Sequence, residues 1–218
     1  LAGNTLLPAR ARLPFLFLMS LLFYGWGEPG TVFLMLISIL ITWACARGMA
    51  GSPGRKKALL VSIASQLIIL GYFKYAGLFV LPAGISFYTF QAIGYSIDVY
   101  RRDIPPDPSL LRYGTFITLF PQLIAGPIER YSDIRPQLER PAISWDNFAQ
   151  GARLFVIGLS KKLLLANAAG QMWEALQDSP AQNGFLGNWA GLIAFAFQIY
   201  FDFSGYSDMA RGLERLPH

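Results

Sequence analysis

Histidine is nearly absent from this 218-residue chain: the single one, His218, is the last residue. That leaves Ser/His/Asp chemistry without support and denies a metal site its commonest nitrogen ligand. There is one cysteine, Cys45, so neither an intrachain disulfide framework nor a cysteine-rich metal centre can form. Charge is also scarce, at 14% of residues against roughly 25% in soluble domains. No phosphate-cradling P-loop, no GxGxxG after a strand and no HExxH pair occurs.

What the chain has instead is apolar length. Hydrophobic residues make up 54% of it, and mean hydropathy is +0.40. Charge-free runs cover Leu13–Gly27, Thr31–Ala46, Ala58–Phe73, Tyr75–Ile97, Tyr113–Ile128 and Ala181–Phe201. A membrane-crossing helix needs about 20 mostly apolar residues. Tyr75–Ile97 and Ala181–Phe201 reach that alone, and the others reach it with flanking residues whose charged ends can snorkel, such as Arg47 and Lys74. The pattern predicts an all-α, multi-pass membrane protein, read here as one membrane domain over residues 1–218.

The net charge of +5 is no nucleic-acid signature. It falls in short loops between spans: Arg47 with Arg55, Lys56 and Lys57, then Arg101, Arg102 and Arg112, then Arg130, Arg135 and Arg140. The Glu28-Pro29-Gly30 turn carries no basic residue. By the positive-inside rule the basic loops face the cytoplasm, and the polar stretch 129–147 is expected to be a cytoplasmic loop. No amino-terminal signal peptide is evident, and the chain, starting at Leu1, reads as cut at both ends.

Two apolar stretches are broken. Leu81-Pro82-Ala83-Gly84 interrupts one, and Pro121-Gln122 with Gly126-Pro127 interrupts the other. Proline removes a backbone donor and clashes with the preceding helical turn. In hydrocarbon the freed groups need partners in protein or in a water-filled cavity. Pro121, Gln122, Gly126 and Pro127 are therefore expected to line an internal pocket, a simple packing kink being the other reading. On a helix running Gly84–Arg102, residues Tyr88, Gln91, Tyr95, Asp98 and Arg102 share one face. Such a stripe turns inward in a membrane, towards partner helices or a ligand. Farther on, Gln198, Asp202 and Tyr206 repeat at spacing four, as do Ser204 and Asp208. Asp202 beside a run as apolar as Leu192–Phe201 is costly unless paired or wet; it is a site residue or a structural hydrogen-bond acceptor. Asp208 has Arg211 three residues away as a potential partner.

Three blocks together resemble the membrane-bound O-acyltransferase family, in the branch of bacterial alginate O-acetyltransferases. They are Leu81-Pro82-Ala83-Gly84-Ile85-Ser86-Phe87-Tyr88-Thr89-Phe90-Gln91, then Phe120-Pro121-Gln122-Leu123-Ile124-Ala125-Gly126-Pro127-Ile128, then Tyr200-Phe201-Asp202-Phe203-Ser204-Gly205-Tyr206-Ser207-Asp208-Met209-Ala210. Tyr24-Gly25-Trp26-Gly27-Glu28-Pro29 is a fourth. The resemblance implies a helical bundle with broken or re-entrant helices around a tunnel, in the bacterial inner membrane. It implies acetyl transfer from a cytoplasmic thioester such as acetyl-CoA, with no resident cofactor. The acceptor would be an extracytoplasmic polysaccharide or a protein that relays the acetyl group. Gln91, Pro121, Gln122, Gly126, Pro127, Asp202, Tyr206 and Asp208 become candidate lining residues. The family's catalytic histidine belongs to a tryptophan–histidine block some tens of residues after the Asp-Phe-Ser-Gly-Tyr-Ser-Asp block. His218 stands ten residues after Asp208 without the matching neighbours, so no catalytic residue is expected within the chain. A D-alanyl transferase of the same family, a transporter or export component, and a non-catalytic scaffold are the competing readings.

Overall fold

In a computed structural model of the chain, residues 8–27, 29–51, 54–75, 82, 84–123, 129–139, 145–177 and 184–215 are described. Among them all regular structure is helical, as the apolar periodicity predicts. The helices are α1 (Ala9–Gly27), α2 (Val32–Gly48), α3 (Arg55–Tyr75), α4 (Ile85–Arg101), α5 (Leu110–Thr118), α6 (Phe120–Leu123), α7 (Tyr131–Glu139), α8 (Trp145–Ser160), α9 (Asn167–Gln177) and α10 (Gly184–Arg215). A π-helical segment, Lys161–Ala166, joins α8 to α9.

Helices α1–α7 form one compact unit and α8–α10 another, because each set closes its packing on itself. Helices α3 and α10 are long and apolar enough to cross a membrane. Only 11% of each apolar window is buried, which is the reverse of a soluble core helix. Their bare faces carry large side chains such as Ile68, Leu192 and Ile193. Helices α1 and α2 are apolar but shorter.

In the first unit, hydroxyls and amides join helices whose surroundings are otherwise aliphatic. The Ser38 hydroxyl of α2 donates to Gln66 Oε1 of α3 at 2.7 Å, and Gln66 Nε2 donates to Thr42 Oγ1 at 2.9 Å. Ser62 of α3 meets Ser96 of α4 at 2.8 Å. All five side chains are buried. Bulk apolar packing does not distinguish helix from lipid, so such bonds and close fit hold membrane helices together.

The connection 102–109, which joins α4 to α5, contains the most connected residue, Asp107. Its backbone N–H donates to the Tyr95 hydroxyl at 2.9 Å, and its carbonyl accepts from Trp43 Nε1 at 3.0 Å. Its carboxylate accepts from the Ser109 N–H at 2.6 Å, from Arg112 Nη1 at 3.1 Å and from the Tyr131 hydroxyl. Arg135 Nε lies 4.0 Å away. One fully buried residue thus ties α2, α4, α5 and α7. Around it Tyr95 stacks on Tyr113 at 4.4 Å, and Tyr131 packs edge-on to Tyr95 at 5.0 Å. Ser109 also caps α5, accepting from the Arg112 N–H.

The stretch 129–147, expected to be a loop, contains α7 and the start of α8. Asp133 sits in the first turn of α7, where a carboxylate favours the helix dipole. Arg135 and Glu139 pair at spacing four, 2.9 Å apart, and Glu139 also takes Arg112 Nη1 at 2.6 Å. These short-range pairs and the buried Tyr131 make helix of a polar sequence.

In the second unit α8, the π segment and α9 lie along α10. Close approach depends on Gly158 of α8 and Gly205 of α10: a Cβ on Gly205 would stand 2.7 Å from the Gly158 carbonyl oxygen, and one on Gly158 would strike the Gly205 carbonyl.

Two outcomes follow for the first unit. Asp107→Asn leaves Arg112 and Tyr131 facing a neutral amide, and breaking a buried pair costs on the order of 3 kcal/mol; a lower midpoint in detergent thermal unfolding is expected, with an unchanged midpoint counting against this role. The Tyr131 phenol is pushed above its ordinary range by burial first and then by the Asp107 carboxylate. The folded state therefore keeps the proton while the unfolded chain loses it near pH 10. The stability gap between the native chain and Tyr131→Phe should be constant below about pH 9 and shrink above about pH 10; a gap that widens with alkali would contradict it.

Candidate functional site

Helix α4 starts at Gly84, whose φ of +73° is the left-handed conformation that glycine adopts without strain. A Cβ there would collide with the Leu123 carbonyl at the end of α6. The second break lies on the other side of that contact. Leu119 leaves helical geometry between α5 and α6, with ψ at 111°, and Pro121 is buried in the single turn that follows. The two proline–glycine interruptions therefore meet. Gln122 lies in α6, and Gly126 and Pro127 lie outside the described residues.

Beyond Gly84, α4 turns its polar stripe inward. Tyr88, Gln91 and Tyr95 are all buried, with Thr89 and Ser96 beside them. Tyr95 uses its hydroxyl on Asp107 and Ser96 on Ser62. The Tyr88 hydroxyl, Thr89 Oγ1 and Gln91 Oε1 have no hydrogen-bond partner among the described residues. An unmet buried polar atom costs about 1–3 kcal/mol, so three within four residues mark a place where another group is wanted. The stripe ends earlier than its spacing predicts. Arg102 leaves the helix in a left-handed cap at φ 68°, and Asp98 makes no ion pair among the described residues.

The acidic block lies wholly within α10, so the spacing-four faces are real. Lys161 Nζ bonds Asp208 Oδ2 at 2.6 Å and Ser204 Oγ at 3.0 Å, and Lys162 pairs with Asp202. Asp208 takes Lys161 rather than the nearby Arg211. The two carboxylates are six residues apart, about 9 Å along the helix. Consecutive lysines reach both from the π segment, whose wider turn changes the angle between successive side chains. Tyr206 is half-buried on the same helix. Gln198, one turn before Asp202, is half-buried against Gly170 of α9, and its Oε1 has no partner among the described residues. Paired in this way, Asp202 and Asp208 carry no free charge along a largely apolar helix, and neither is poised as a lone general base.

Among the described residues no group of three or more His, Cys, Asp or Glu side chains could hold a metal. Sequence reasoning missed Asp107, Lys161 and Lys162 as partners. The Asp-Ile-Pro-Pro-Asp-Pro-Ser run reads as a turn, and the lysines read as an interruption at the interface. The available signal was that Lys161 and Lys162 are the only charges in an otherwise neutral stretch from Leu154 to Trp173.

Comparison with known proteins agrees with these blocks. The family model described as MBOAT, membrane-bound O-acyltransferase family, matches residues 22–214. The Probable alginate O-acetylase AlgI of Pseudomonas aeruginosa is 37% identical over 94% of this chain and 44% of its own length. The Peptidoglycan O-acetyltransferase of Helicobacter pylori is 29% identical over 97% of this chain and 50% of its own. The Teichoic acid D-alanyltransferase of Lacticaseibacillus rhamnosus is 26% identical over 61% of this chain and 35% of its own. The chain spans about half the length of the curated relatives it matches. A match from the Tyr24 block through the acidic block on α10 means that the chain belongs to the membrane-bound O-acyltransferase family.

Proposed function

We propose that this chain is part of a multi-pass enzyme of the bacterial inner membrane that moves an acetyl group from a cytoplasmic thioester donor, such as acetyl-CoA, to an extracytoplasmic polysaccharide hydroxyl or to a protein that relays it. The observation that carries the reading is 37% identity over nearly the whole chain to an alginate O-acetylase. The meeting of the two helix breaks at the start of the helix that carries the unmet Tyr88 hydroxyl and Gln91 Oε1 supports a substrate path through the first unit. Irregular backbone at membrane depth is tolerated where protein buries it or where it lines a cavity. Donor and acceptor on opposite sides of a membrane require such a path.

The substrate-contacting candidates in this proposal are Gln91, Pro121 and Gln122 in the first unit and, separately, Asp202, Tyr206 and Asp208 in the second. The general base on the acceptor hydroxyl is a histidine outside the 218 residues, with a pKa suited to neutral pH.

The test is acetyl-ester content of exopolysaccharide in a bacterium lacking its own acetylase, complemented with a polypeptide that joins this chain to the histidine-bearing remainder of an alginate O-acetylase. Acetylation is expected, and the 218-residue chain alone should give none. Gln91→Leu keeps the volume and removes the unmet amide; a fall of at least about tenfold in ester content is expected at unchanged protein level, the size of one hydrogen bond to substrate. Ester content insensitive to Gln91, or D-alanine found in place of acetate, would defeat the reading.

A further inference from the structure

A second feature of the first unit stands at the end of α4 opposite the helix breaks. Helix α2 ends, α3 begins and α4 ends at one level, and there an open cavity of about 590 Å³ is lined by Met49, Val99, Ile104, Pro106, Arg55 and Arg102. Helix α3 is long and apolar enough to cross a membrane, and a helix that does so sets its first residue, here Arg55, at the depth of lipid headgroups. Among the described residues the lining side chains are apolar except for two guanidinium groups, and none is a carboxylate. Neither arginine pairs with a carboxylate among the described residues. Asp103 is exposed next to Arg102 and is not part of the lining.

The two arginines are held differently. Arg55 is fixed: Nη2 donates to the Tyr100 carbonyl at 2.6 Å, the guanidinium lies 5.6 Å over the Tyr100 ring, and buried Nε has no acceptor. It closes the carbonyl end of α4 and keeps a donor unused. Arg102 is exposed and strained. It is the only non-glycine residue with positive φ among those described, at the helix-ending position that glycine normally fills. A side chain there costs about 1 kcal/mol of backbone preference. The N–H groups of Arg102 and Asp103 both satisfy the Asp98 carbonyl, so the cap itself needs only the backbone. Placing arginine at a glycine position is unexplained by folding.

We propose that this cavity binds the phosphate of an anionic phosphoester, with the exposed Arg102 guanidinium as donor, the positive charge of Arg55 beside it and the apolar wall holding the glycerol or acyl portion. Guanidinium groups match phosphate oxygens through paired, charge-assisted N–H donors. The amphipathic lining and the interfacial level favour a lipid headgroup such as phosphatidylglycerol, and a soluble phosphoester is the other source of the same chemistry.

The discriminating variant is Arg102→Gly, because glycine suits the cap and should leave thermal unfolding unchanged or raise it. Arg101→Gln removes the same charge one residue away, outside the cavity lining. The 218-residue chain in neutral detergent is titrated with short-chain phosphatidylglycerol, short-chain phosphatidylcholine and glycerol phosphate, with bound ligand counted by native mass spectrometry. Phosphatidylglycerol should bind more tightly than phosphatidylcholine, about tenfold more weakly in Arg102→Gly, and undiminished in Arg101→Gln. Glycerol phosphate following the same pattern would assign the site to soluble phosphoesters, and its failure to bind would assign it to lipid. No binding, equal loss in the two variants, or no preference for the anionic lipid would overturn the proposal.

Discussion

A buried carboxylate has to be surrounded before the helices around it can settle. Asp107 is completely buried, and four helices bond it: Tyr95 of α4 at its N–H, Trp43 of α2 at its carbonyl, and Arg112 of α5 with Tyr131 of α7 at Oδ2. An uncompensated charge in that position costs several kcal/mol, so the four helices have one acceptable arrangement around it. The stacked tyrosines follow from that arrangement. The rings of Tyr95, Tyr113 and Tyr131 fill the space between helices, and the hydroxyls of Tyr95 and Tyr131 bond Asp107, which phenylalanine could not do.

The second unit solves the same problem without burial. Its acids are partly exposed and answered by lysines from a single widened turn. Glycine pairs bring α8 against α10 closely enough for those lysines to reach. In the first unit a charge organises the packing, and in the second the packing delivers the charges.

The helical class and the inward face of Tyr88, Gln91 and Tyr95 were legible in the sequence, since apolar runs and a three-to-four spacing report directly on which side of a helix meets protein. So were the two breaks, because proline and glycine act on their own backbone. That the breaks touch was not legible: the contact joins Gly84 to Leu123, and no local pattern encodes a separation of that length. Asp107 was hidden for the same reason, among prolines that mark a turn with no hint of what the turn will face. The division into two units was also invisible, since apolar composition runs through both. The membrane reading of α1 and α2 rested on composition, and their observed lengths fall short of α3 and α10.

The π segment has a consequence for how this sequence can vary. A π turn accommodates one residue more than the α-helix around it. Removing one residue between Lys161 and Ala166 would let the helix close into regular turns while the residues after it kept their faces, because the wider turn absorbs that residue locally. Gly170 would stay against Gln198. The deletion would act on the turn itself, where Lys161 and Lys162 would lose the angles from which they reach Asp208 and Asp202. The extra residue therefore serves the lysines and leaves the register of α9 on α10 untouched.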